Sequence, residues 1–75
     1  MAKIPVISAK TMIAFLKSLG FSEIRCKGSH RFYKHPDGRT ATVPDHKGED
    51  LGRGITYKIL KDIEISEEEF KSWLQ

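Results

Sequence analysis

The chain has 75 residues, of which 39% are hydrophobic and 31% charged, with a formal net charge of +3. That length makes one domain, residues 1–75, and buries only about 60% of the surface exposed on unfolding, which excludes a deep catalytic cleft. No run approaches the roughly 20 apolar residues that span a bilayer, the stretch from Met1 to Ile7 lacks the apolar core of a signal peptide, and the single Cys26 closes no internal disulfide, so a reducing cytoplasm is the expected location.

Ser8 sits where a side chain caps a helix. Met12, Phe15, Leu16 and Leu19 follow at the three-to-four spacing of a buried stripe, and Gly20 is placed to stop it. Phe21 to Lys27 then reads as a half-buried strand, with Ile24 and Cys26 on one face and Glu23, Arg25 and Lys27 on the other. Beyond Gly28 a second strand is expected over Ser29 to His35 and a third over Arg39 to Val43, joined by a Pro36-Asp37-Gly38 turn into an antiparallel meander. Phe32 and Tyr33 are adjacent aromatics, and a one-residue shift exchanges the faces of a strand, so the sequence leaves open which of them meets the core. With Phe32 inward, His30 shares its side and sits at an edge; with Tyr33 inward, His30 stands on the open face.

Asp45 to Gly54 reads as a loop, whose Gly48, Gly52 and Gly54 are too irregularly spaced for a nucleotide-binding loop. Ile55, Ile59, Leu60 and Ile63 return to helical spacing. Ser66 to Glu69 has the capping-box arrangement, with Ser66 capping and Glu69 reaching back, and it opens a short last helix that carries Phe70, Trp73 and Leu74 as core candidates. Its acids suit the positive end of a helix rather than catalysis. The order α-β-β-β-α with an extra C-terminal helix predicts an α+β fold, a three-stranded antiparallel sheet with helices on one face and the other face open. The double-stranded RNA-binding fold has this order.

Residues 1–61 carry 12 Lys/Arg against 5 Asp/Glu, whereas residues 62–75 carry 1 against 5. Between positions 25 and 47, Arg25, Lys27, Arg31, Lys34, Arg39 and Lys47 face only Asp37 and Asp45, and all three histidines lie in that window. A polyanion suits such a surface. Alternation along a strand separates Ser29 from His30 and excludes a Ser-His nucleophile pair, so His30 acts alone or with residues elsewhere. RNA cleavage permits this, because the ribose 2′-hydroxyl is an internal nucleophile and needs only proton transfer and charge stabilisation, tasks suited to an imidazole near neutral pH. Lys27, Ser29, Arg31, Lys34, Arg39 and Lys47 are the candidate RNA contacts, with whichever of Phe32 and Tyr33 is exposed stacking on a base. His35 and His46 read as capping or surface residues that can assist binding. Cys26 and the histidines lack the paired spacing of zinc sites, no carboxylate cluster suits magnesium, and no metal or other cofactor is expected.

Gly28-Ser29-His30, then His35-Pro36-Asp37-Gly38-Arg39, Thr42-Val43-Pro44 with His46-Lys47-Gly48, and Ile65-Ser66 before Glu69-Phe70 together resemble HicA-type mRNA interferase toxins, from about Ser8 to Leu74. The resemblance implies a double-stranded-RNA-binding-domain-like fold and metal-independent cleavage of single-stranded mRNA, which blocks translation. It also implies neutralisation by a HicB-type antitoxin and His30 as the catalytic histidine. A noncatalytic RNA-binding module using the same basic sheet is the alternative, and a pure protein-interaction domain, with no salt-sensitive RNA binding, is a third reading.

Overall fold

The computed structural model describes residues 4–47 and 49–75; Met1 to Lys3, part of the stretch read above for a signal peptide, and Gly48 lie outside the described residues. The elements are β1 (Ile7–Ser8), α1 (Ala9–Ser18), β2 (Ser22–Lys27), β3 (His30–Lys34), β4 (Thr40–Pro44), β5 (Asp50–Leu51), α2 (Arg53–Asp62) and α3 (Glu67–Leu74). Strands β2, β3 and β4 form the expected antiparallel meander.

Local chemistry sets the helix boundaries. The Ser8 hydroxyl accepts the Thr11 amide at 3.1 Å and caps α1. At the other end the Gly20 amide donates to the Lys17 carbonyl and the Phe21 amide to the Leu16 carbonyl, a Schellman closure in which Gly20 adopts φ +99°. Helix α2 closes the same way, with Glu64 donating to Lys61 and Ile65 to Leu60, but here a non-glycine residue, Glu64, takes the left-handed position at φ 59°. Ser66 caps α3 by accepting the Glu69 amide at 3.1 Å. The expected return bond from the Ser66 amide to the Glu69 carboxylate is absent among the described residues, so the box is half formed.

Tyr33, Ala41 and Val43 are buried and join Met12, Phe15 and Leu16 of α1 and Ile59 and Leu60 of α2 in one hydrophobic cluster. The helices thus cover one face of the sheet. Helix α3 adds Phe70, whose ring centroid lies 4.8 Å from that of Phe15; Trp73, expected in the core, is instead exposed at the cluster's edge, its ring 5.1 Å from the same phenylalanine. Further details depart from the sequence reading. The segment read as a loop from Asp45 contains β5, which pairs with β1 through Ile7–Leu51 and Ser8–Asp50, and α2 begins at Arg53. These two-residue strands are too short to show a periodicity, and long-range pairing defines them.

Candidate functional site

The turn between β2 and β3 fixes where His30 sits. Lys27 pairs with His30, leaving Gly28 and Ser29 as a two-residue loop in which only Gly28 has positive φ, at 59°, the pattern of a type II′ hairpin turn. Strand β3 therefore starts at His30 rather than at Ser29. Ser29 belongs to the turn, and strand alternation does not govern its direction: its hydroxyl lies 3.4 Å from the Nε2 atom of His46.

Residues directly opposite in an antiparallel pair share a face. Tyr33 is buried, so the register places Arg25, Lys27, His30, Phe32, Lys34, Thr42 and Pro44 on the opposite, open face. His30 is exposed, and its imidazole ring has no hydrogen-bond partner among the described residues. Phe32, half-buried, carries the Arg25 guanidinium 4.5 Å above its ring. Lys27 and Lys34 are exposed and form no ion pair among the described residues. The paired positions on this face include no carboxylate.

A β-bulge decides which charges meet there. The pairing shifts between Glu23 and Arg25, so Ile24 is the extra residue, and Glu23 turns to the core side while Arg25 and Lys27 turn outward. Simple alternation had grouped Glu23 with those two cations. Arg25 lies in the basic window but outside the candidate contacts, and the bulge is the feature that brings it beside Phe32. On the core side, Glu23 accepts from the Tyr33 hydroxyl at 3.2 Å and from Arg31 Nη1 at 3.0 Å, and Arg31 Nε donates to Asp45 at 2.6 Å. Burial, reinforced by the bond to Glu23, pushes the Tyr33 phenol up to about 12. Asp45 first, then Glu23, holds the Arg31 guanidinium above its ordinary value.

The remaining candidates divide. Arg31, expected to hold phosphate, is compensated by two carboxylates. Arg39 is half-buried, donates to the Ile63 carbonyl at 2.5 Å and to Asp37 at 2.8 Å, and lies 5.3 Å from the Phe21 ring centroid, so it ties the β3–β4 turn to the end of α2. The Arg39 amide, followed by its guanidinium, lowers the carboxyl of Asp37. Lys47 is exposed, beside His46, whose ring centroid stands 6.5 Å from that of His30. His35 has both ring nitrogens engaged: Nε2 donates to the Leu19 carbonyl at 3.0 Å, and Nδ1 accepts the Asp37 amide at 3.1 Å. It helps close the C-terminus of α1, the capping role expected for it.

Beside His30 a groove of about 220 Å³ passes over the edge strand β4, from Thr42 and Pro44 to Ile55, Lys58, Ile59 and Asp62 of α2. A second, of about 370 Å³, follows Arg25, Phe32 and Thr42. Among the described residues no group of three or more His, Cys, Asp or Glu is placed to hold a metal ion. No described helix is long and apolar enough to cross a membrane.

Fold and site together define a small α+β protein that presents a cationic, partly aromatic sheet face with an exposed histidine at its rim. A family model described as the HicA toxin of bacterial toxin-antitoxin matches residues 9–65, and the chain belongs to that family. The sheet order is the one expected for its double-stranded-RNA-binding-like fold. No curated protein matches the chain.

Proposed function

We propose that this toxin is a metal-independent endoribonuclease that acts as one domain over residues 1–75, cuts single-stranded mRNA in the cytoplasm and so blocks translation. His30 is its proton-transfer group. The observation that carries this reading is the placement of His30: exposed, its ring without a hydrogen bond among the described residues, and on the face that also presents Arg25, Lys27 and Lys34. An imidazole so placed meets the 2′-hydroxyl or the 5′-oxygen of a chain whose phosphates lie along these cations. Phe32, already packed under Arg25, offers a face for a base. Lys47 and Ser29 extend the contact at the His30 end. Arg31 and Arg39 contribute field more than direct bonds, because carboxylates already hold them.

A HicB-type antitoxin is the expected partner. It inhibits by laying acidic groups over the face that includes His30, since a surface without a deep cleft is silenced by covering it. A complex that leaves His30 accessible refutes this mode of inhibition.

The deciding experiment incubates purified protein with a defined single-stranded RNA in excess EDTA, with His30→Ala alongside. Cleavage by the wild type alone is expected, leaving 2′,3′-cyclic phosphate and 5′-hydroxyl ends. Ends bearing 5′-phosphate refute the mechanism. Intact RNA that both proteins bind supports the noncatalytic module instead, and the absence of any salt-sensitive binding supports a protein-interaction domain.

A further inference from the structure

We propose that His46 is the second proton-transfer group of this site, with the role opposite to that of His30; this deepens the ribonuclease reading and rests on it. The two rings lie 6.5 Å apart between centroids and at 77° to one another, although 16 positions separate them in the chain. Strand β4 runs antiparallel to β3 and ends at Pro44, directly opposite His30, so the chain leaving β4 passes the start of β3.

The gap suits the chemistry. Cleavage needs a base at the 2′-oxygen and an acid at the 5′-oxygen, on opposite sides of phosphorus. Each imidazole must approach its oxygen to about 3 Å, so two rings far apart cannot both reach one phosphate, whereas this edge-to-face pair, 6.5 Å between centroids, reaches both oxygens once the rings part to admit it. In the step, one unprotonated imidazole takes the 2′-hydroxyl proton as the 2′-oxygen bonds to phosphorus. The other, protonated, gives its proton to the 5′-oxygen as the phosphorus–oxygen bond breaks. The products are a 2′,3′-cyclic phosphate and a 5′-hydroxyl, and exchange with water resets both rings.

His46 is held in place through its neighbour. The Asp45 amide donates to the Ser29 carbonyl at 2.6 Å, and the Asp45 carboxylate accepts from Arg31 Nε at 2.6 Å. Arg31 is thus a positioning residue: it fixes the start of the loop that carries His46. The Ser29 hydroxyl, 3.4 Å from Nε2, adds a contact on the ring itself. Besides His30, the titratable side chains around His46 are Lys10, Asp45, Lys47, Glu49 and Asp50, which with it line a recess of about 380 Å³.

The test measures metal-free cleavage of a defined single-stranded RNA from about pH 5 to pH 9, the range in which imidazoles titrate. For His46→Gln the expected result is a loss of about 10²–10⁴-fold in kcat, a KM close to wild type and one missing limb of the bell-shaped pH profile. Because His46 is exposed, its variant keeps the wild-type melting temperature, which separates lost chemistry from lost fold. A substrate with sulfur at the bridging 5′ position leaves without protonation; it restores cleavage to whichever of the His30→Ala and His46→Gln variants lacks the acid, and not to the other. Arg31→Ala lowers kcat more than it changes KM, and Arg31→Lys recovers part of the loss. A wild-type rate and intact bell in His46→Gln, or equal responses of both histidine variants to the sulfur substrate, overturn the pair while leaving a ribonuclease. Failure of the wild type to cut RNA overturns both.

Discussion

The two ends of β3 carry similar residues and use them differently. At its start, His30 is exposed and unbonded on the open face, with Lys27 opposite it. Just past its end, His35 gives both ring nitrogens to backbone groups, and Arg39 joins the Ile63 carbonyl to Asp37. Histidine and arginine are held as structural ties where helix ends leave carbonyls to satisfy, and stand available to a ligand where the sheet has no layer above it. Composition does not distinguish these roles.

Substitution of the two histidines separates these roles by the largest effect. His30→Ala is expected to lower the RNA-cleavage rate by at least about 10²-fold while the melting temperature holds. His35→Ala is expected to do the reverse, costing about 1–2 kcal/mol in urea unfolding and leaving kcat within about twofold. Loss of cleavage in a fully stable His35→Ala protein removes the distinction.

The core side of the meander gives a pH signature. The Tyr33 phenol is raised to about 12 in the folded protein, against about 10 when unfolded, so its contribution is complete below pH 10 and is lost as pH rises through 12. The difference corresponds to about 2–3 kcal/mol. Urea unfolding from pH 8 to 12 is expected to show a steeper decline for wild type than for Tyr33→Phe; parallel curves refute this.

Smaller effects separate the cations. Replacing Arg25, Lys27 or Lys34 by alanine is expected to lower the salt dependence of RNA binding by about one unit of slope each, with stability unchanged. Arg39→Ala instead lowers the melting temperature and changes the slope less. Equal slope changes for all four place Arg39 among the phosphate contacts after all. Last, Glu64→Gly relieves the left-handed strain where α2 closes beside the Arg39 contact and is expected to stabilise by about 0.5–1 kcal/mol, read as a shift in urea midpoint with RNA cleavage unaltered.

The helices and the meander were legible because local signals agree there. Ser8, Gly20 and Ser66 mark helix ends by backbone chemistry that acts within a few residues, and the apolar spacing of α1 and α2 follows the helical period. Pairing of β1 with β5 was not legible, since two-residue strands carry no period. The bulge at Ile24 was equally hidden: it reassigns Glu23 and Arg25 to opposite faces, and nothing local to that strand requires it. His30 could be singled out from its setting among basic and aromatic residues, whereas the nearness of His46 depends on how β4 ends.

The element order, the basic window and His30 as the residue to examine were readable along the chain, because propensity, capping and charge are properties of neighbouring residues. That Tyr33 and not Phe32 faces the core, that Arg31 and Arg39 serve carboxylates and carbonyls, and that His46 stands across from His30 emerge only once the chain is folded. Those outcomes depend on strand register and on contacts between distant segments, and adjacent positions with similar side chains are told apart only when one face of the sheet is buried.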